Sequence, residues 1–193
     1  MIVAPSGNLH SVYQKHFLYE TDEAWAEPGP SFTTVTLPFP SSNPASSSPP
    51  PSSTFTLAPC ICMDLNPERF LAPFEDFEFA TFVRDAHPKV DVVVGTMAWL
   101  ASPPREDDSD DSGSEDDSDW ADVSSTINYW AVRLTPLIGS RTAIVVCNRI
   151  GSEGGTCTFF FFLRVMSPCF ESDVTLLICL LLQAPPSPAP AAS

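Results

Sequence analysis

The sequence predicts an α/β fold in which strands and helices alternate along the chain. Residues 90–98 (VDVVVGTMA) and 141–149 (RTAIVVCNR) are near-continuous β-branched runs, which are typical of strands buried on both faces of a sheet. Residues 54–61 (TFTLAPCI) predict a third strand, and segments with apolar residues at helical spacing separate the three. Alternation of this kind predicts helices packed on a sheet.

The N-terminal segment predicts a β-hairpin. Residues 1–4 (MIVA) have the composition of a short strand, and residues 5–8 (PSGN) have the composition of a turn. Residues 9–18 (LHSVYQKHFL) alternate well enough to predict a second strand that pairs with the first.

Two segments predict amphipathic helices. Residues 72–86 (APFEDFEFATFVRDA) place phenylalanines at spacings near three and four, with Pro73 in the first turn. Residues 124–138 (SSTINYWAVRLTPLI) begin with a serine suited to capping a helix. One face of this second helix carries the apolar side chains of Ile127, Trp130, Leu134 and Leu137.

Three segments are too polar or too rich in proline to add to a core: residues 38–54, 101–122 and 184–193. The formal net charge is −15, yet nine of the 24 acidic residues lie between Glu106 and Asp119. The remainder is only mildly acidic and lacks the basic stripe that a nucleic-acid binder needs. The acidic run is either a solvated loop or a substrate for an acidophilic kinase at Ser109, Ser112, Ser114 and Ser118.

Cysteine usage and the first residues predict an intracellular, cytoplasmic protein with reduced thiols. Six cysteines occur without regular spacing, and the opening sequence (MIVAPSGNLH) does not resemble a secretion signal. The longest apolar run near the end, residues 174–182 (VTLLICLLL), has about half of the ~20 residues that cross a bilayer. It predicts a buried strand or a mistranslated piece of sequence, and no membrane partner is expected.

The segment CICMDLNPERF (residues 60–70) raises the question of what its two cysteines do. Cys60 falls inside the predicted strand and is expected to pack in the core. Cys62 falls at a strand-to-helix elbow, where a side chain stands above the sheet and the next backbone N–H groups point at a bound substrate. A metal role is disfavoured because no second cysteine or histidine cluster completes four ligands, so no metal is expected.

A nucleophilic thiolate at Cys62 needs a positive partner and a base. The histidines His10, His16 and His87 are each expected to be exposed or structural, which disfavours a cysteine–histidine pair. Lysine occurs only at positions 15 and 89, and Lys15 is flanked by aromatic residues.

These segments resemble the nitrilase superfamily of carbon–nitrogen hydrolases. VYQKHFLYETDEAW is similar to its lysine block and CICMDLNPERFLAPFEDFEFA to its cysteine block. With DVVVGTMAWL, YWAVRLTPLI and IVVCNRIGSEGGT, they resemble the branch of fungal protein N-terminal amidases. The resemblance implies a partial nitrilase-like α/β/β/α sandwich over residues 1–156, with insertions at 38–54 and 101–122. Residues 157–193 would be an apolar and Pro/Ala-rich tail.

The resemblance also implies a mechanism that uses no cofactor, and a substrate. Cys62 would attack the side-chain amide of an N-terminal Asn or Gln, form a thioester and release ammonia. The bond broken would be a C–N bond that is not a peptide bond. Lys15 and the backbone N–H of Met63 would stabilise the oxyanion. Just after the lysine block, Glu27 or Glu23 would be either a supporting carboxylate or an exposed acidic residue.

Two side chains near the cysteine, Asp64 and Asn66, would shape the elbow by bonding local backbone groups. The family's triad glutamate belongs to a strand and helix that precede the lysine block, whereas this chain starts at the turn before it. The sequence is therefore expected to come from a truncated or mis-spliced gene model and to be impaired as an enzyme.

Two other functions stay open at the level of sequence. One keeps the chemistry but takes a small free amide or carbamoyl compound as substrate. The other is a non-catalytic remnant whose acidic loop binds a basic partner. The resemblance further implies assembly of identical chains through a helix surface.

Overall fold

A computed structural model describes residues 1–4, 6–38, 54–100, 115–149, 151–153, 157–159 and 163–166. Side chains are described for residues 1–4, 6–38, 54–100 and 123–149. Most of the Ser/Pro-rich insertion, the acidic run up to residue 114 and the apolar run 174–182 therefore lie outside the described residues.

The described residues form nine strands, and five of them make one sheet in the order β3-β4-β5-β6-β9. The strands are β1 (Ile2–Val3), β2 (Leu9–Ser11), β3 (Val35–Pro38), β4 (Thr54–Ile61), β5 (Val92–Met97), β6 (Ala143–Asn148), β7 (Gly151–Glu153), β8 (Cys157–Phe159) and β9 (Leu163–Met166).

The three central strands of the sheet are parallel. Cys60 on β4 lies opposite Gly95 on β5, which in turn lies opposite Val146 on β6. Strands β3 and β9 close the two edges in antiparallel orientation. Because parallel neighbours need a crossover, a helix follows each of β4 and β5. The carboxyl ends of β4, β5 and β6 consequently meet at one edge, where α/β proteins bind ligands.

The two helices are α1 (Glu78–Asp85) and α2 (Glu115–Arg133). The prediction of a helix over 72–86 is too long, because Phe77 has a left-handed φ of 44° that separates α1 from a short turn at Phe74–Asp76. The second helix begins nine residues before Ser124. The prediction that Ser124 caps its start is therefore wrong, and residues 115–122 are helical. Carboxylates in a first turn are favoured by the helix dipole.

The predicted N-terminal hairpin is present, since β1 pairs antiparallel with β2. The second strand ends at Ser11 rather than at residue 18. Lys15 therefore lies in an irregular loop, because the backbone N–H groups of the two following residues bond to a side chain, Asp64, instead of to a neighbouring strand.

The helices pack on one face of the sheet. Alternate residues of β5 and β6 are buried there, whereas Thr96 and Cys147 on the opposite face are exposed. The prediction that these strands are buried on both faces is therefore wrong for the described residues. The core includes sheet residues Ala58, Cys60, Val93, Met97, Ile144 and Val146, helix-side residues Phe79, Ala80, Val83, Val123, Ile127, Trp130, Leu134 and Leu137, and the loop residues Leu65 and Val90.

Within the described part of the chain, neither helix has the length and apolar character needed to cross a membrane.

A buried arginine joins the helices to the loop after β4. The Arg133 side chain is 1% exposed; its Nη2 atom lies 2.8 Å from Oε2 of Glu78, and its Nε donates to the Leu65 carbonyl at 2.8 Å. Its Nη1 donates to the Phe74 carbonyl. The guanidinium also lies over the Phe74 and Phe77 rings, 5.0 and 5.2 Å from their centroids. One side chain thus holds α1, α2 and the segment after Cys62 together.

We expect Arg133→Met to lower the free energy of unfolding by about 3 kcal/mol, because it removes the guanidinium that pairs with the Glu78 carboxylate and donates to two carbonyls. Urea unfolding followed by tryptophan fluorescence measures the change. The control is Arg84→Met, since Arg84 pairs with Asp85 on the surface and its removal should leave unfolding unchanged. Equal effects from the two variants would contradict the assigned role of Arg133.

Candidate active site

The backbone turns sharply at Cys62. Strand β4 ends at Ile61, and Cys62 then adopts a φ of 44° at the start of a short 3₁₀ turn, Cys62–Leu65. Left-handed backbone is uncommon for a residue with a side chain and is concentrated at functional sites. Cys60 is 2% exposed and belongs to the core, whereas Cys62 is only half-buried. The two cysteines therefore occupy different environments, as the sequence predicts.

The Asp64 carboxylate is the centre of the elbow. Its Oδ2 accepts hydrogen bonds from the Ile61 N–H and the Tyr13 hydroxyl, both at 2.8 Å. Its Oδ1 accepts from the N–H groups of His16 and Phe17, both at 2.9 Å. Burial raises the pKa of this carboxyl, and the four hydrogen bonds oppose that shift. Three of the donors are backbone N–H groups, which can only donate, so the geometry is that of an ionised carboxylate.

The loop that carries Lys15 is fixed on both sides. Asp64 holds the two residues after it, and the Gly29 N–H donates to the Lys15 carbonyl at 2.7 Å. A Cβ atom at Gly29 would lie 2.3 Å from the Gln14 carbonyl oxygen, so only glycine permits this approach. His16 belongs to the same clamp through a 2.7 Å contact between its Nδ1 and the Gly29 carbonyl.

The Lys15 ammonium pairs with Asp22. Nζ lies 2.5 Å from Oδ2 of Asp22, and the two side chains are 18% and 19% exposed. The same oxygen accepts the Tyr19 N–H at 3.2 Å. Burial raises the pKa of Asp22, but the hydrogen bonds from Lys15 and Tyr19 outweigh it and hold the pKa below its usual value.

The Cys62 thiol has a pKa above the ordinary cysteine value. Burial is the main cause, and the negative charges of Asp22 and Asp64 add to it. A hydrogen bond from the backbone N–H of Ala98 and the positive charge of Lys15 lower the pKa without reversing the shift. The thiol is therefore mainly protonated at neutral pH, and a nucleophilic role requires an acceptor for its proton.

The structure brings Lys15, Cys62 and Met63 to one end of the sheet, and among the described contacts neither Glu27 nor Glu23 pairs with Lys15. Glu27 is exposed, and its backbone carbonyl accepts from the Gln14 side chain at 2.8 Å. The Glu23 carboxylate lies 3.1 Å from Nε of Arg69. The carboxylate in contact with Lys15 belongs to Asp22, which sequence reasoning missed although it lies in the same block.

The elbow residues after Cys62 are buried. Met63 is 1% exposed, and its carbonyl accepts the Asn66 N–H at 2.9 Å. The prediction that the Asn66 side chain bonds local backbone is wrong for the described contacts, because its Oδ1 accepts the Tyr129 hydroxyl of α2 at 2.7 Å. This partner was missed because it lies 63 residues away in sequence.

Two of the three histidines, His10 and His87, are exposed.

A pocket of about 200 Å³ reaches the elbow at Met63. Carboxylates from Glu20 and Glu23 and the guanidinium of Arg69 line it with Leu18 and Phe70. Among the described side chains, no group of three or more His, Cys, Asp or Glu residues is arranged to hold a metal ion.

Comparison with known proteins identifies relatives of this chain. No protein-family model matches it. It is 34% identical over 163 residues to a protein N-terminal amidase of Schizosaccharomyces pombe, an alignment covering 79% of this chain and 49% of the relative. It is 37% identical over 106 residues to a protein N-terminal amidase of Saccharomyces cerevisiae, covering 53% of this chain and 23% of the relative. The chain thus spans about half the length, or less, of these curated relatives.

Solved structures give the same fold. A crystal structure of an N-terminal amidase superposes with a TM-score of 0.63 at 19% identity, covering 86% of this chain and 66% of the other. N-terminal amidase with an Asn-Glu-Ala peptide gives 0.62 at 20% identity, with 84% and 65% coverage. N-terminal amidase with a Gln-Val peptide gives 0.57 at 20% identity, with 88% and 67% coverage.

The fold is therefore that of the carbon–nitrogen hydrolases, an α/β fold of nitrilase type. The sequence matches confirm the resemblance to the protein N-terminal amidase branch of the nitrilase superfamily, and the chain is a relative of those proteins.

We expect Asp64→Asn to lower the free energy of unfolding by roughly 2–4 kcal/mol. Each Asp64 oxygen accepts two hydrogen bonds, so in either orientation of the asparagine amide its NH₂ group replaces one oxygen and leaves two donors without an acceptor. Urea unfolding measures the loss, and Asp76→Asn at an exposed position is the matched control. If Asp64→Asn unfolds at the same urea concentration as the parent, the carboxylate does not organise the elbow.

Opposite changes at Lys15 and Asp22 should move the Cys62 thiol in opposite directions. Lys15→Met removes a positive charge, which raises the pKa and slows alkylation of Cys62 by iodoacetamide at neutral pH about 3- to 10-fold. Asp22→Asn removes a negative charge, which lowers the pKa and speeds alkylation. Rates come from mass spectrometry of the Cys62 peptide across a pH series, and shifts of the same sign in both variants would refute the assignment.

Proposed function

We propose that this protein is an amidohydrolase that removes the side-chain amide of an N-terminal asparagine or glutamine. The observation that carries the proposal is the placement of Cys62 at a left-handed elbow beside the Lys15–Asp22 pair. Curated relatives named protein N-terminal amidase support it, as do related N-terminal amidase structures with peptides that start with Asn or Gln.

The proposed reaction passes through a thioester. The Cys62 sulfur attacks the carboxamide carbon, and its proton passes to a base. The C=O π electrons move to oxygen, where Lys15 and the Met63 backbone N–H stabilise the negative charge. When the tetrahedral intermediate collapses, the C–N bond breaks and protonated nitrogen leaves as ammonia. Water then attacks the thioester, which restores the thiol and releases a carboxylic acid.

The bond broken in this proposal is the C–N bond of the substrate's terminal carboxamide, and the peptide bond to the second residue stays intact. The substrate partner is accordingly a protein or peptide with a free N-terminal Asn or Gln. On its cysteine usage and charge pattern we further propose an intracellular location and no nucleic-acid partner. The resemblance to nitrilase-type hydrolases supports the further proposal that identical chains assemble.

The thiol sets the pH dependence of this reaction. Because burial raises the pKa of Cys62, the thiolate fraction is small at neutral pH and grows as the pH rises. A carboxylate base that accepts the proton would make the reaction less dependent on alkaline pH.

We expect this protein to release more ammonia from an Asn-initiated peptide than from the same peptide beginning with Ala or from free asparagine. Cys62→Ala should reduce the rate at least about 10³-fold, because the nucleophile is removed. An ammonia assay with mass analysis of the peptide measures both, and Cys147→Ala is the control because Cys147 is exposed on the open face of β6. A preference for free asparagine would favour the small-amide alternative, and no hydrolysis of either compound would favour the non-catalytic one.

A further inference from the structure

Two adjoining pockets lie between the segment after Lys15 and the turn after Cys62. The inner pocket is the one of about 200 Å³ that reaches Met63. The outer pocket has a volume of about 280 Å³, and its lining includes Ala26, Pro28 and Glu68. Leu18, Glu23 and Arg69 line both pockets, so the two share one wall.

Two contacts between the same segments hold the shared wall. Nε of Arg69 lies 3.1 Å from Oε1 of Glu23. The Phe70 ring packs edge-on against the Tyr19 ring, with their centroids 6.4 Å apart. Arg69 and Phe70 have φ values of 54° and 57°, a left-handed backbone that costs energy at such residues and is concentrated at ligand clamps and active sites. The Arg69 guanidinium thus lies beside Glu23, between the two pockets.

The charges of the inner pocket favour a cation. Its lining carries two carboxylates, Glu20 and Glu23, and one guanidinium, Arg69. Glu23 and Arg69 pair with each other, whereas among the described contacts Glu20 has no ion pair or hydrogen bond. One carboxylate is therefore available to a ligand, and the guanidinium is already paired. A ligand that brings an ammonium group suits this pocket better than one that brings a carboxylate.

We propose that the inner pocket binds the N-terminal residue of the substrate and that the Glu20 carboxylate accepts hydrogen bonds from its α-ammonium group. The outer pocket then takes the second residue, beyond the Glu23–Arg69 pair. This inference rests on the proposed function, because it places the reacting carboxamide at the elbow that carries Cys62. It makes Glu20 a specificity-determining residue that selects a free N-terminus.

The covalent structure of the substrate suits this placement. In an N-terminal asparagine only the α- and β-carbons separate the ammonium nitrogen from the carboxamide carbon, and glutamine adds one more carbon. The ammonium group and the reacting carbon therefore belong in one pocket, and the inner pocket has both Met63 and Glu20 in its lining. Its volume is below the roughly 300–1,000 Å³ of sites for drug-sized ligands, as expected for a pocket that takes one residue.

The outer pocket separates a peptide from a free amino acid. In a peptide the group after the α-carbon is a neutral carbonyl, whereas in free asparagine it is a carboxylate. That carboxylate meets the charges of Glu23 and Glu68, which repel it, while Arg69 is already paired with Glu23. Repulsion of the wrong ligand adds to the attraction of the right one.

The test measures binding without turnover. The full chain carrying Cys62→Ala is titrated by calorimetry with C-terminally amidated Asn-Ala-Ala and with the same peptide acetylated at its N-terminus, which has no ammonium group. The titrations are repeated after adding Glu20→Gln. The matched control adds Glu75→Gln instead, because Glu75 is exposed and lines neither pocket.

We expect the free peptide to bind about tenfold more tightly than the acetylated one, the size expected for one hydrogen bond between charged groups. Glu20→Gln should remove this preference by weakening the free peptide alone, and Glu75→Gln should preserve it. The proposal is overturned if the starting protein shows no preference, or if Glu20→Gln changes the two affinities equally or not at all.

A second comparison tests the outer pocket. Ala26→Phe places a bulky side chain in its lining, and the reference ligand is asparaginamide, which has an α-ammonium group but no second residue. We expect this variant to weaken the peptide at least about fivefold and to leave asparaginamide unchanged. Equal weakening of both ligands, or unchanged binding of the peptide, would overturn the placement of the second residue. If Ala26→Phe does not fold, Ala26→Leu makes a smaller change, and its effect must have the same sign.

Binding to a protein that lacks the nucleophile separates this inference from the proposed function. The expected affinities, together with no hydrolysis by the parent protein, would support the two pockets and count against the amidase. Deamidation of peptides by the parent, together with equal effects of Glu20→Gln on the free and acetylated peptides, would do the reverse.

Discussion

The candidate site depends on one buried carboxylate, that of Asp64. An ionised carboxylate is costly to bury unless its oxygens are paired, and here both oxygens accept two hydrogen bonds. The donors come from the end of β4 and from the loop that carries Lys15, two segments that are distant in sequence. Satisfying one charge therefore brings the lysine loop to the cysteine elbow. The pairing of these donors with one carboxylate thus holds the Lys15 loop against the elbow that carries Cys62.

A second set of contacts supports the elbow from the helix side. Tyr129 and Arg133, one turn apart on α2, bond to Asn66 and Leu65, the residues that end the turn after Cys62. Left-handed backbone at a cysteine costs of order 1–3 kcal/mol, and such a conformation persists only where the surroundings impose it. Asp64 accepts a hydrogen bond from the residue before the turn, and α2 bonds to the residues that end it. The strained position of Cys62 thus follows from contacts on both sides.

Local pattern was sufficient for the three central strands β4, β5 and β6. It was insufficient for the end of β2, for the helix starts and for the residues that contact the site. Residues 54–61 form β4 as predicted, because a short apolar run between turn residues has few alternatives. The helix start predicted at Ser124 failed because the preceding acidic residues continue the helix to Glu115. The elbow and its two cysteines followed from the sequence and its resemblance. Asp22 did not, because which of several nearby carboxylates reaches Lys15 depends on how the loop folds against Asp64 and Gly29.

The charges around Cys62 explain why the site needs several weak donors. Two carboxylates, Asp22 and Asp64, oppose ionisation of the sulfur, and one ammonium group, Lys15, favours it. The ammonium has three donors, of which one is used by Asp22; in the proposed reaction the other two would serve the sulfur and the oxyanion. Because Lys15 would be shared in this way, backbone N–H groups such as that of Met63 would carry part of the stabilisation in the proposed reaction. They bear no net charge, and once held in place they need no reorganisation as negative charge moves from sulfur to oxygen.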